Sequence, residues 1–342
     1  MTNNKKNKLL EFFIEKSMAV IALFSLLFIA LIFIFVFREA ASVFFVKEKA
    51  PISAEGESAV QPEYETYGNE GLESSGSAST IVERVTAEDR FTWKGLFGLS
   101  WMPVSLNPKY GILPLILGSF KVAMIAILIA APIGVLCAIF TAMFASKGLK
   151  EVMKPVIEIL AGFPSVVIGF IALVILASQL QNLFGFQYRL NAFTGGVALS
   201  LTVIPIIFTI SDDALSTVPK SLIEASLALG ASKWETVFFV ALPAALPGIF
   251  AAVLLGIGRA VGETMIVLMA TGNAALFTFS AVDPVRTLSA TIGAEMAEVV
   301  FGDTHYSVLF IIGVLLFIFS FLLNMTAEVF VRDRLMRRFR GA

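Results

Sequence analysis

The sequence is short of the residues that carry most catalytic and metal chemistry. It holds one cysteine, Cys137, and one histidine, His305, in 342 residues. A lone cysteine inside an apolar run excludes an internal disulfide framework and a cysteine-based metal site, and a lone histidine excludes a multi-histidine centre. Charged residues make up only 15% of the chain, with a formal net charge of −1. They are segregated along the sequence, so the net value says nothing about partners, and no nucleic-acid partner is expected. The chain also lacks the glycine-rich G-x-x-x-x-G-K-[ST] cradle that holds nucleotide phosphates, so it cannot bind ATP by that route. No metal cluster or nucleophile–base set is visible, and the reading is of a chain that is not an enzyme and carries no cofactor of its own.

What it has in excess is apolar surface. Hydrophobic residues make up 57% of the chain, 32 of them phenylalanine, more than a soluble domain of this length needs. A bilayer core of ~30 Å takes about 20 apolar residues in a helix, and runs of that kind lie at 17–37, 116–144, 157–178, 192–211, 244–271 and 307–330. Pro164 and Pro205 interrupt the third and fourth, which spanning helices tolerate when neighbours or water satisfy the freed carbonyl. The first run follows Lys5, Lys6, Lys8 and Lys16 but is too long for the apolar region of a secretory signal, and no small-residue cleavage site follows it. It reads as a retained span.

Lysine and arginine set the orientation of the six spans. Lys147, Lys150 and Lys154 lie in the loop after span 2, and Lys220 and Lys233 in the loop after span 4. Arg332, Arg334, Arg337, Arg338 and Arg340 follow span 6. Of the alternate loops, the two short ones carry Arg189 and Arg286 alone; the long 38–113 segment has seven Lys/Arg, but long segments translocate largely regardless of charge. Both termini are therefore expected in the cytoplasm, with residues 1–16 and 331–342 as cytoplasmic tails and 114–330 as the main transmembrane domain. Residues 38–113 form a long extracytoplasmic segment, and 50–80, rich in Ser, Gly and Glu, have the composition of a disordered acidic insert. From Phe91 the chain turns aromatic (Trp93, Phe97, Trp101), as expected of a simple interfacial anchor ahead of span 2.

The loop between spans 4 and 5 is the most informative stretch. It reads Glu224-Ala225-Ser226, three residues, Gly230, nine residues, then Val240-Ala241-Leu242-Pro243. A short amphipathic helix breaks at a glycine, and a second helical stretch is redirected into the membrane by a proline. Leu222, Ile223, Leu227, Leu229, Trp234, Val237 and Phe238 make the loop too apolar to remain in water uncovered. This pattern resembles the EAA loop of bacterial ABC-importer permeases, departing from it only at Ser226 and Val240. The resemblance implies an all-α membrane protein of the type I ABC importer permease fold, with a cytoplasmic coupling helix between spans 4 and 5. It also places Glu224, Ala225, Ser226, Gly230 and Pro243 at the contact with an ATPase subunit.

A second feature lies in span 5, at Gly258-Arg259-Ala260-Val261-Gly262-Glu263-Thr264. An arginine in a membrane helix costs at least ~2.5–3.5 kcal/mol on insertion scales, so such a residue faces a cavity or a partner. Counted from Pro243 at 1.5 Å per residue, Arg259 stands roughly 20–24 Å along the helix. Glu263, four residues on, shares its face, while Gly248, Ala252, Gly256 and Ala260 form a small-residue stripe that admits a neighbouring helix. A guanidinium fork suits phosphate oxygens, and a neighbouring carboxylate can moderate its charge. Arg259, Glu263 and Thr264 are thus candidates for a substrate pathway; the alternative is an ion pair that only stabilises packing. Thr209, Ser211 and Asn273 could offer hydrogen bonds along the path, and Asp212 and Asp213 read as a solvated cap at the end of span 4.

The stretches Ile157–Val167, Ile204-Pro205-Ile206-Ile207 with Asp213-Ala214-Leu215 and Val218-Pro219, Gly262-Glu263-Thr264-Met265 with Gly272-Asn273, Thr287–Ile292 and His305-Tyr306-Ser307 narrow the resemblance. They are similar to the C-type permease of the phosphate-specific transport system over most of residues 91–340. The resemblance implies a multi-pass protein of the bacterial cytoplasmic (inner) membrane in contact with lipid. It implies a second homologous permease subunit, an ATP-binding subunit dimer that carries ATP hydrolysis, and an extracytoplasmic phosphate-binding protein. Alternatives are a permease for another oxyanion or small solute, the A-type phosphate permease paralogue, and a membrane signalling or scaffold component.

Overall fold

Crossing hydrocarbon demands helices long enough to satisfy every backbone amide internally, and six helices meet that demand. The computed structural model describes residues 2–43, 93–105 and 107–339. The spans are Lys16–Ser42, Leu113–Phe144, Ser165–Phe184, Ala192–Ser216, Lys233–Gly262 and Thr304–Thr326. The acidic insert at 50–80, Phe91 and the C-terminal residues from Arg340 lie outside the described residues.

Span 1 belongs to helix α1 (Thr2–Ser42). A short helix α2 (Trp93–Leu96) and a hairpin of β1 (Trp101–Met102) and β2 (Lys109–Tyr110) precede span 2. The hairpin is antiparallel, with Trp101 opposite Tyr110. Span 2 is α3 (Leu113–Ile139), which begins on Pro114 where a missing amide costs nothing, extended by a π-turn at Phe140–Phe144. Helix α4 (Lys147–Gly162) follows as a separate element. Span 3 is α5 (Ser165–Ile171), a π-turn at Ala172–Leu176 and α6 (Ala177–Phe184), ended by Gly185 in the left-handed conformation (φ 68°). Span 4 is α7 (Ala192–Ser216), capped by the Asn191 side chain, which accepts from the Thr194 amide at 2.9 Å.

Between spans 4 and 5 stand α8 (Lys220–Ala228) and α9 (Lys233–Thr236). Span 5 continues α9 through a π-turn at Val237–Ala241 into α10 (Leu242–Gly262). After a break come α11 (Met265–Ala270), α12 (Leu288–Glu295) and α13 (Thr304–Phe339), which carries span 6.

The spans alternate in direction, so the bundle has two ends. Residues 145–164 and 217–232 share one, called proximal here; the hairpin and residues 185–191 and 272–303 share the other, the distal end. Each level has its own core. At the distal end Trp101, Ile112, Leu115, Leu288, Leu309 and Ile312 pack together. The middle joins spans 2, 4 and 5 through residues such as Ala126, Leu199, Val203, Ile207 and Ala260. The proximal cluster gathers Ile139, Phe208, Leu215, Val237 and Ile249.

Lipid is as apolar as leucine, so helix association in a membrane rests on close packing rather than on apolar burial alone. The stripe on span 5 serves that end. A Cβ at Gly248 would lie 2.5 Å from Ala214 Cβ and one at Gly256 2.9 Å from Ile207 Cγ1, and Ala252 and Ala260 are buried between them. Spans 4 and 5 meet along this row.

Three expectations change. Residues 157–162 do not open span 3: they end α4, and the extended Phe163 and Pro164 (ψ 131° and 132°) separate it from α5. Pro164, which cannot continue the preceding hydrogen-bond ladder, marks the junction. Pro243 does not redirect the chain, because one helix runs from Lys233 to Gly262 and the proline sits in the first turn of α10, directly after a wide π-turn. Trp101 is not a simple anchor: it is buried in the distal core, with its indole donating to Glu295.

Candidate functional site

Span 5 does not cross the bundle as one helix. It stops at Gly262, Glu263 is extended (φ −69°, ψ 133°), and α11 resumes at Met265. α11 then continues towards the distal end, where the Gly272 backbone meets Leu190 of the loop between spans 3 and 4. The break therefore lies about 10 Å inside the distal end, at 1.5 Å per helical residue from Thr264 to Thr271. Arg259 stands one turn before it, beyond Gly256, which packs against Val203 and Ile207 near the middle of span 4.

The break brings the candidate residues together. Arg259 Nη2 lies 3.1 Å from Glu263 Oε2, with the arginine side chain 49% exposed and the glutamate side chain 4%. The other carboxylate oxygen accepts the Thr264 amide at 3.2 Å, and Ser289 Oγ donates to the Glu263 carbonyl at 2.6 Å. Glu263 thus accepts the amide of the residue that opens the next helix while holding Arg259. Both of its oxygens are engaged, whereas the guanidinium makes no other ion pair or hydrogen bond among the described residues. Thr264 faces α12, where a Cβ at Gly293 would lie 2.6 Å from its methyl. On the opposite side span 3 comes as close: a Cβ at Gly169 would lie 3.1 Å from the Met265 carbonyl and 3.2 Å from Ile266 Cα. The arrangement presents a cation, with donors free for an oxyanion, at a rigidly packed discontinuity.

At the proximal end, Glu224, Ala225, Ser226 and Gly230 occur together. Gly230 takes φ 88°, a left-handed conformation that glycine alone adopts without strain. It turns the chain from α8 into a capping box in which the Ser232 amide donates to Glu235 Oε2 at 2.7 Å and Ser232 Oγ accepts the Glu235 amide at 3.3 Å. The two helices are tied by Ser226 Oγ and Thr236 Oγ1 at 3.0 Å. Ile223 packs on the proximal core, while Leu222, Leu227, Leu229 and Trp234 are left exposed, Leu229 at 89%. An apolar surface of this kind at the end of a loop marks a contact with another molecule. Pro243 stands apart from it, inside the continuous helix.

Two polar groupings escaped the sequence reading. Asp212 is no solvated cap: its side chain is 3% exposed and its Oδ2 lies 2.6 Å from Lys154 Nζ of α4. Hydrogen bonding to Asp212, opposed by burial and aided by the charges of Asp212, Asp213 and Glu158, raises the Lys154 ammonium above the ordinary lysine value. Asp213, one position on, is exposed. Of the other candidates, Ser211 is buried, Thr209 is exposed, and Asn273 Oδ1 accepts from Arg286 Nε at 3.0 Å.

At the distal end Glu295 gathers Arg286 Nη1, the Trp101 indole at 3.1 Å and His305 Nε2 at 2.9 Å. Burial alone would raise its carboxyl, but the hydrogen bonds from His305 and Trp101 and the charges of Arg286 and His305 hold it below the ordinary glutamate value. These partners come from separate stretches of sequence, and only the family resemblance of Thr287–Ile292 and His305-Tyr306-Ser307 pointed to this end of the molecule. Among the described residues no group of three or more His, Cys, Asp or Glu side chains could hold a metal ion.

Comparison with known proteins now supplies the class. Residues 130–335 match the family described as binding-protein-dependent transport system inner membrane component, and the chain belongs to that family. It is a multi-pass membrane permease of the ABC transporter type. It is 41% identical over 227 residues, 66% of this chain and 74% of the relative, to a probable ABC transporter permease protein, YqgH, of Bacillus subtilis (strain 168). It is 35% identical over 252 residues, 68% and 76% of the two chains, to the phosphate transport system permease protein PstC of Mesorhizobium japonicum. Against PstC of Haemophilus influenzae it is 33% identical over 277 residues, 75% and 85% of the chains. Among solved structures, the inward-facing MetNI methionine ABC transporter aligns with a TM-score of 0.48 and 22% identity, over 65% of this chain and 93% of that one.

Proposed function

We propose that this chain is one permease subunit of an ATP-driven phosphate importer. With a second homologous permease it forms the pathway for inorganic phosphate across the bacterial cytoplasmic membrane. The observation that carries the reading is the half-exposed Arg259, held by the buried Glu263 at a helix break inside the distal half of the bundle. Family membership and the relatives named as phosphate transport permeases support it.

A half-exposed cation set among apolar helices offsets part of the cost of bringing in an anion. Its planar fork fits phosphate oxygens, and Glu263 weakens its hold enough for release. Thr264, next to Glu263 at the break, is assigned to the same pathway.

ATP is bound and hydrolysed by a separate pair of ATP-binding subunits. The proximal end faces the cytoplasm, where lysines are concentrated, and the turn at Glu224, Ala225, Ser226 and Gly230 seats in a groove of the ATPase through its exposed leucines and Trp234. An extracytoplasmic phosphate-binding protein delivers substrate to the distal end.

Uptake of labelled phosphate by bacteria lacking the gene, with and without a plasmid copy, tests the reading. Restored phosphate uptake with unchanged sulfate uptake is expected. Restoration of sulfate but not phosphate uptake would reassign the substrate.

A further inference from the structure

The contact between α4 and span 4 has a feature that packing does not explain. Helix α4 contains no fully buried side chain. Its Ile157 touches the proximal core, Lys150 Nζ donates to the Ala142 carbonyl at 2.9 Å, and its one ion pair to the bundle among the described residues is Lys154–Asp212 at 2.6 Å. Asp212 is buried, and only one of its oxygens is used. Its Oδ1 and the neighbouring Ser211 Oγ are buried without a hydrogen-bond partner among the described residues. Only the Asp212 side of the pair is buried, Lys154 being 44% exposed; a pair open to solvent on one side adds little stability, and its better use is to fix one geometry between the elements it joins. A half-satisfied one is the less suited to a purely stabilising role.

The position of the pair gives that geometry a use. Asp212 lies one turn before the end of span 4, which leads directly into the turn at 217–232. Lys154 lies on α4, which passes through Phe163–Pro164 into α5. The Gly169 face of α5 lies against Met265 and Ile266, the first residues after the break that holds Arg259 and Glu263.

We propose that Lys154 and Asp212 are a strut that carries movement of the turn at 217–232 through α4 and span 3 to the break at Glu263–Thr264. They are positioning residues for transport and do not touch substrate. The proposal rests on the reading of that turn as the ATPase contact. Its physical content is that span 4 and α4 move as one body while the extended Phe163–Pro164 link absorbs the change in angle. A contiguous chain of contacts is only an association until coupling is measured, so the experiment measures coupling.

The assembled transporter, with both permeases and the ATPase, is reconstituted in vesicles, and phosphate moved and ATP hydrolysed are recorded together in the presence of loaded binding protein. Lys154→Met is expected to keep ATP hydrolysis within about twofold of the unaltered complex while the phosphate moved per ATP falls at least fivefold. Lys154→Arg should keep most of the coupling. A chemical rescue separates the strut from a folding role: in a Cys137→Ala background, Lys154→Cys should be uncoupled. Treatment with aminoethyl methanethiosulfonate, which rebuilds a lysine-like cation on the exposed thiol, should restore coupling, and the uncharged methyl reagent should not. A reducing agent should reverse the rescue.

Unchanged phosphate per ATP in Lys154→Met, or equal rescue by the charged and uncharged reagents, overturns the strut. Wild-type coupling in a Lys154→Met, Asp212→Asn double variant overturns it too, since removal of both partners would then be harmless. If the unaltered assembly hydrolyses ATP without moving phosphate, or Glu224→Lys leaves both phosphate uptake and ATPase capture intact, the functional reading itself fails and the strut with it.

Discussion

Arg259 and Glu263 divide their labour by exposure: the carboxylate is buried and fully engaged, and the guanidinium is half open with one contact. Arg259→Gln should therefore leave the protein in the membrane and the complex assembled but reduce phosphate uptake at least tenfold, because the compensating charge is gone. Arg259→Lys keeps the charge without the fork and should retain partial uptake at best. Glu263→Gln keeps an oxygen to accept the Thr264 amide yet leaves Arg259 unneutralised, so phosphate should bind more tightly and leave more slowly. The stability cost of breaking the pair should fall well below the ~3–5 kcal/mol of a fully buried one, since half the arginine is exposed. A purely structural pair predicts that the double Arg259→Gln, Glu263→Gln variant regains both folding and transport. Robust uptake by that variant would sink the pathway role.

Gly118 tests packing without touching chemistry. A Cβ there would stand 2.3 Å from the backbone carbonyl of Arg286, an atom that cannot swing aside. Gly118→Ala should force span 2 away from the loop before α12 and lower thermal stability in detergent by the equivalent of about 1–3 kcal/mol, the usual cost of overpacking. An unchanged melting temperature would show that this close approach is not rigid.

Among the elements, the turn between spans 4 and 5 was the most legible, because a glycine stands where φ must be positive; the Ser232–Glu235 capping box beside it went unread. Nothing lies within 4 Å of a Cβ at Gly230, so the constraint is backbone strain alone. Gly230→Ala should cost about 1 kcal/mol, whereas a bulky residue there, or Glu224→Lys, should uncouple ATP hydrolysis from uptake by disturbing the docked surface. Normal uptake together with normal co-purification of the ATPase would remove the coupling role. The break in span 5 was not legible. Residues on both sides of Glu263 are equally apolar, no proline marks the site, and hydropathy registers a crossing but not a discontinuity within it. The division between α4 and span 3 was missed for a related reason. Ile159 and Phe163 read as the start of the spanning run at 157–178, but both are exposed on α4 or its junction.

The distal grouping was hidden because its members are brought together only by tertiary contacts between the hairpin, α12 and span 6. Its carboxylate makes a pH prediction. The folded state holds the Glu295 carboxyl below its ordinary value of 4.5, so it contributes stability that is present above that value and lost as pH falls through the lower folded value. Melting of the purified protein should therefore drop as pH is taken from 5 to about 3. Glu295→Gln should be less stable at neutral pH and show a flatter profile over that range. Equal slopes for the two proteins would mean that the grouping contributes nothing to the acid response.

For the whole molecule, the number of spans and their alternation follow from hydrocarbon thickness, while the direction of the bundle rests on charge. Folding alone puts residues 145–164 and 217–232 at one end and the hairpin with 272–303 at the other. Lys147, Lys150, Lys154, Lys220 and Lys233 crowd the first end, and Arg189 and Arg286 are the short-loop cations of the second. Lysine and arginine near span ends resist translocation, so the first end should remain in the cytoplasm. An alkaline phosphatase fusion at Ser75, in the long segment after span 1, should be active, and one at Lys233 inactive. The opposite pattern would invert the bundle and put the exposed Leu229 and Trp234 out of reach of any ATPase, which makes this the most economical test of the coupling reading as well. Residues 55–80 have too little apolar content to build a site of their own, so their deletion should leave uptake within about twofold. Loss of uptake by a deleted form that still inserts normally would assign that stretch to docking of the binding protein.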